Sequence, residues 1–363
     1  MSARHSITTA GLFPAILVMT LVFAPSANGQ NAIIIDHTCT DLSLVPAYWI
    51  DQAKLLTFHY AHTSHGSQVV TGARVLEGLD SFYSIAIRES GTEGLPPAEN
   101  PPALRIYDGN PPETYIEPDD YWASSSGINR TRAVANTGSY DFSMWSWCGQ
   151  ASSYSEAQIA NYLSVMAQFE DEYPGMRFIL MTGHTDGSGV GGTLNQRNNQ
   201  IRAYALAHNM VLFDFADIES HDPDGNDYLA LGCNDNGDYS GGNWPQQWCA
   251  AHPGHPLCTS CSCAHSQPTI CNLKGRAFWW MMARLAGWPG PVAPDLDGDR
   301  DVDNDDFALF EACASGSGVS HGGSSTCSQA DFDGDTDVDQ SDFGIFQRCM
   351  SGENVQADPL CDD

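Results

Sequence analysis

The chain has 363 residues, enough for one large domain or two unequal ones. It carries 45 acidic residues against 15 basic ones, for a net charge of −30. That balance excludes the clustered Lys and Arg on which nucleic-acid binding depends, so no nucleic-acid partner is expected.

The first thirty residues read as a secretory signal. Arg4 and His5 give a basic start, residues 12–23 form an apolar run, and Ala27, Asn28 and Gly29 supply small residues for cleavage near Gly29. About a dozen apolar residues are too few to cross the hydrocarbon core, and no other segment is long and apolar enough. The mature protein is therefore expected to be secreted, with no membrane span. The twelve cysteines are then expected to pair as disulfides. Eight lie from Cys39 to Cys271 and four from Cys313 to Cys361, so each part can close its own bridges.

Residues 33–35 are a possible early strand. Residues 55–60 (LLTFHY) read as a strand and the 69–79 region as a helix. Ile159, Tyr162, Met166 and Phe169 share a helical face, with Ser155 as cap and Pro174-Gly175 as terminator. Residues 176–181 then form a buried strand. Ile201, Ala205 and His208 lie on a helix ended by Asn209, and residues 210–215 form the next strand. This alternation predicts an α/β domain over 30–288, a three-layer parallel sheet flanked by helices. Residues 91–120 are proline-rich and are expected to form a long irregular surface loop. A helix over 274–285 precedes a Pro- and Gly-rich linker at 289–294.

From Asp295 onward the chain repeats. PDLDGDRDVDNDDFALFEAC and ADFDGDTDVDQSDFGIFQRC align without a gap, with Cys313 equivalent to Cys349. Each copy opens a twelve-residue loop with Asp at positions one, three, five, nine and twelve. These are Asp295, Asp297, Asp299, Asp303 and Asp306, then Asp331, Asp333, Asp335, Asp339 and Asp342. Carboxylates at such spacing suit Ca2+, which takes six to eight oxygen ligands. Val302 and Val338 are expected to pack between the paired loops. The tandem resembles the type I dockerin module over 295–352, which implies a small all-α calcium-binding domain over 295–363 and a cohesin-like partner. Position six departs from the usual Gly, being Arg300 in one loop and Thr336 in the other. Repeat symmetry favours the pairings Cys313–Cys327 and Cys349–Cys361.

The first strand of the α/β part runs into His62-Thr63-Ser64-His65-Gly66-Ser67-Gln68 ahead of a helix. Ligands of open α/β sheets bind at the carboxyl ends of strands, and amides at a helix start stabilise an oxyanion. Ser64 is thus the expected nucleophile, Ser67 the fallback, and helix capping the structural alternative. His265 stands in a loop before the last helix of this part. This order resembles the SGNH, or GDSL-like, hydrolases, a flavodoxin-like fold. The resemblance implies an ester hydrolase with Ser64 as nucleophile, Gly149 as an oxyanion donor, His184 or Thr185 in the third block and His265 as base. The Gly-Asp before the serine, the oxyanion Asn and the Asp three residues before the histidine are all missing. Asp217 is the expected acid, with Asp186 next. By analogy with the calcium module, the expected substrate is a carbohydrate or polysaccharide ester.

Three other readings stay open. The histidines His62, His65, His184, His221 and His265, with Asp186 or Asp217, suit a metal-dependent hydrolase or a polysaccharide lyase, although no HExxH spacing occurs. Cys258, Cys261, Cys263 and Cys271 form either a zinc knuckle or disulfides that pin the His265 loop. Trp122, Trp145, Trp147, Trp244 and Trp248 are either sugar-stacking indoles on a non-catalytic binding protein or buried loop anchors.

Overall fold

The computed structural model describes residues 32–89, 94–358, 361 and 362; the expected signal segment, residues 1–29, lies outside them. Seven parallel strands form the central sheet. They are β1 (Ile33–Ile35), β2 (Thr57–His62), β3 (Ile85–Glu89), β4 (Leu104–Asp108), β5 (Phe142–Ser146), β6 (Arg177–Met181) and β7 (Val211–Phe213), in the order β1-β7-β6-β5-β2-β4-β3. Both faces of β2 are buried, as a central parallel strand requires. After β2 the chain first builds the β4–β3 side, then returns to lay β5 against β2's other edge. The carboxyl ends of β2 and β5 therefore meet where the strand order reverses, the usual place for a ligand crevice.

Helices flank the sheet. In chain order they are α1 (Ala47–Ala53), α2 (Ser67–Leu79), α3 (Ser125–Ala135), α4 (Glu156–Glu172), α5 (Thr193–Ala207), α6 (Phe215–Ser220), α7 (Trp244–Ala251) and α8 (Pro268–Leu285). The Ser155 cap of α4 is present as a full capping box with Gln158, and Ile159, Tyr162, Met166 and Phe169 are all buried. Asn209 ends α5 with φ 52°, the left-handed conformation that stops a helix. Helix α8 packs on α1, α2 and α6, while α4 packs on α5.

Helices α2 and α8 touch backbone to backbone. A Cβ at Gly72 would lie 1.8 Å from the Cys271 carbonyl oxygen, and one at Gly275 would lie 2.2 Å from the Gly72 carbonyl carbon. Neither clash is with a flexible side chain. Gly275→Ala is expected to destabilise the protein by about 3 kcal/mol, at the upper end of overpacking costs. The check is the midpoint of urea unfolding; an unchanged midpoint would show that the helices can separate freely.

Two expectations are corrected. Residues 91–120 do not form one irregular loop, because β4 lies inside them, paired along its length with β3 and from Arg105 to Asp108 with β2. Four of the cysteines between Cys39 and Cys271 are also unpaired. The bridges there are Cys249–Cys258 and Cys263–Cys271, which leave Cys39, Cys148, Cys233 and Cys261 as thiols. Cys39 and Cys233 are buried against the core, where no second sulfur reaches them. Cys313–Cys327 and Cys349–Cys361 form as the repeat suggests.

Beyond Trp288, which packs into the main core, helices α9 (Asn304–Cys313), α10 (Ser325–Ala330) and α11 (Gln340–Cys349) enclose a second apolar cluster. Val302 and Val338, both fully buried, lie in it with Phe310 and Phe346. Among the described residues no helix is long and apolar enough to cross a membrane, and four disulfides fit an extracellular protein.

Candidate active site

Strand β2 delivers Ser64 and His65, and strand β5 delivers Cys148 two residues past its end. Gly66 makes the approach possible. A Cβ there would lie 2.3 Å from the His62 Cβ and 2.7 Å from Ser146, so any larger residue would push α2 away from β5. The result is a hydrogen-bonded chain. His65 Nδ1 lies 3.0 Å from Cys148 Sγ, and His65 Nε2 lies 3.0 Å from Asp235 Oδ2. Asp235 comes from the turn after Cys233, which Asn234 stabilises by accepting the amides of Asn236 and Asp238.

The protonation chemistry follows from these contacts. Burial alone would raise the Cys148 thiol, but hydrogen bonds from His65 and Ser64 and the charge on His65 outweigh it and hold the thiol at about 6. Burial alone would lower His65, but Asp235 and the Cys148 sulfur raise it to about 9. Asp235 lies below its ordinary range: burial opposes this, and the His65 bond with the charges of His184, His65 and His265 overcome it. At neutral pH the pair is a half-buried thiolate beside an imidazolium, the reactive form of a nucleophilic cysteine.

Two further imidazoles sandwich His65. His184 stacks on one face at 3.9 Å and 5°, and His265 on the other at 4.6 Å and 15°. His184 donates from Nδ1 to the Thr185 carbonyl at 2.6 Å, which leaves Nε2 facing the site, near Gly149. His265 has φ 60°, a left-handed backbone held between the Cys263–Cys271 bridge and a bond from Gln68 Nε2 to the Ala264 carbonyl. Gly149 opens the short 3-10 turn Gly149–Ser152 directly after the thiol, and the Cys148 amide donates to Gln150 Oε1 at 2.8 Å.

No family model, curated protein or solved structure matches this chain.

The structure brings together Ser64, Gly149, His184 and His265 of the residues read from the sequence. Their contacts are as follows. The contact made by Ser64 Oγ is with Cys148 Sγ, at 3.6 Å, and the ring stacked on His265 is that of His65. Asp217 is elsewhere. It accepts from His37 Nδ1 at 2.5 Å, and His37 stacks on His221 at 3.7 Å. The reason is topological: α6 follows β7, whose neighbour is the edge strand β1, so Asp217 is carried to that edge. Asp186 accepts from Ser152 and Ser188. His62 turns to the other side of β2 and donates to Asp108 at 2.9 Å. All five tryptophans are buried, Trp145 within β5 and Trp244 and Trp248 within α7 instead of in loops, which removes them as sugar platforms. The four-cysteine zinc knuckle does not form, because two of its members are bridged to each other and a third to Cys249.

The sequence reading missed Cys148 and Asp235. Cys148 stood beside the noted Gly149 in WSWCG, but an even cysteine count hid it among expected disulfides. Asp235 lies in CNDNGD, a segment whose composition reads simply as a turn.

Proposed function

We propose that the α/β part is a cysteine-dependent acyl hydrolase acting on a carboxylic ester. The observation that carries this reading is the Cys148–His65–Asp235 chain, with both links at 3.0 Å. The thiolate attacks the carbonyl carbon, and the oxyanion forms beside the Gly149 amide. The His65 imidazolium gives its proton to the departing alkoxide, leaving a Cys148 thioester and neutral imidazole. Water then attacks the thioester with His65 as base, which releases the carboxylic acid and restores the thiolate. Asp235 orients the ring and stabilises its charge. The stacking of His65 and His184 favours this proton chemistry over a shared metal. Parallel rings 3.9 Å apart hold their lone pairs in separate planes, although ligand atoms of His65, His184 and Asp235 lie within 4.8 Å of one another.

The C-terminal repeats are read as a secreted, dockerin-like calcium module with a cohesin-like partner, and an ester-bearing carbohydrate is the substrate class that such a module favours. The carboxylates fit the ion. Asp295, Asp297 and Asp299 bring oxygens within 4.8 Å of one another, as do Asp331, Asp333 and Asp342. Burial and the neighbouring Asp306 raise Asp295 to about 6, the mark of a negative cluster that a cation would relieve. Arg300 and Thr336 hold φ 80° and 79°, so the loops keep the backbone that Gly usually supplies at position six.

Labelling distinguishes this reading from a serine esterase. Iodoacetamide at neutral pH is expected to modify Cys148, located by peptide mass spectrometry, and to stop hydrolysis of p-nitrophenyl acetate. A fluorophosphonate adduct on Ser64, with hydrolysis persisting in Cys148→Ala, would replace the cysteine mechanism with the serine one.

A further inference from the structure

Behind the three stacked rings lies an ion pair that no step of the proposed reaction uses. Lys274 of α8 and Glu219 of α6 are both fully buried, with Nζ 2.7 Å from Oε1. Nζ also donates to Gln68 Oε1 at 2.5 Å and sits 3.2 Å from the centre of the Phe215 ring. The three ammonium hydrogens thus meet three partners.

Two of these partners, Gln68 and Glu219, lead to histidines. Gln68 stands three residues after His65, and its amide donates to the carbonyl of Ala264, the residue before His265, at 2.6 Å. The second oxygen of Glu219 accepts the Thr185 amide at 2.6 Å and the Thr185 hydroxyl at 2.9 Å, and Thr185 follows His184. The Glu219 carbonyl accepts from Trp244 Nε1 at 3.2 Å. A buried pair is costly to desolvate, and apolar residues of equal volume often serve stability as well. Apolar residues, however, give no directional bond to any of these loops.

We propose that the Lys274–Glu219 pair is the positioning element that sets the register of the His184–His65–His265 stack against Cys148. The inference rests on the thiolate reading of that site. Both residues act through others and touch no reacting atom.

The test is the pH dependence of Cys148 alkylation by iodoacetamide in the full chain, read in Lys274→Met, Glu219→Gln and Gln68→Ala. Glu219→Gln keeps the volume but replaces one acceptor oxygen with a donor, so it cannot hold both Lys274 and the Thr185 amide. Wild type is expected to show a midpoint near 6. In Glu219→Gln and Lys274→Met the midpoint should rise above about 7, with alkylation at pH 6.5 slowed about threefold or more. Far-UV circular dichroism should stay unchanged. If Lys274→Met does not fold, Glu219→Gln and Gln68→Ala carry the decision. Folded variants that keep the wild-type midpoint overturn the positioning role while leaving the thiolate reading intact. A wild-type midpoint near that of a free thiol overturns the thiolate reading itself.

Discussion

Replacing Cys148 with serine is expected to lower p-nitrophenyl acetate hydrolysis by at least about a thousandfold, while Ser64→Ala changes it by less than about threefold. A serine hydroxyl at this position would have to lose a proton that His65 takes only in the transition state, whereas a thiol held at about 6 has given it up at neutral pH. The pH dependence separates the two groups. The thiol must be ionised to react, so alkylation rises as pH increases through about 6 and then stays level. Turnover also needs a protonated His65 to supply the leaving alkoxide, so it rises through about 6 and falls again as pH passes about 9. A sigmoid for alkylation with a bell for turnover is the expected pair of curves. Alkylation that begins only above pH 8 would remove the ion pair from the account.

Chelating calcium is expected to unfold the region around α9, α10 and α11 without melting the sheet. An ion at a thousand times its dissociation constant contributes about 4 kcal/mol per site to the state that binds it. The second apolar cluster is small, so under the proposed calcium reading that contribution would be a large share of its stability. Calorimetry in calcium and then in EDTA should show one transition moving down by roughly 10 °C or more and the other staying in place. Asp295 adds a pH signature. Its pKa is raised to about 6, so protons compete with the ion as pH falls through that value, and calcium affinity should weaken on the acid side. A single transition indifferent to EDTA would leave the aspartate loops as a surface feature without a bound ion.

The parts of the fold that were legible in the sequence share a cause. Residues 55–60 and 176–181 are mostly apolar segments without proline, and α4 shows its period and its cap together. The missed strands lack those signals. Strand β4 sits between prolines at 101–102 and 111–112, and it carries Arg105 and Asp108 on a path that the sheet nevertheless buries. Strand β5 reads FSMWS, and its polar Ser143 is acceptable inside because it bonds Tyr121 Oη and His59 Nδ1. Of the site, the histidines were visible after strand ends and, for His265, in the loop before a helix. Their partners were not, because a thiol and a turn aspartate become chemistry only when β2 and β5 are set side by side.

The division of the cysteines constrains the conditions under which the centre can work. The proposed reaction needs Cys148 reduced, whereas the loop carrying His265 is fastened by the oxidised Cys263–Cys271 link. A strong oxidant would convert the first to sulfenic acid, and a strong reductant would untie the second. Full competence therefore belongs to an intermediate redox range. A preparation kept in excess dithiothreitol to protect the nucleophile would lose the geometry around it.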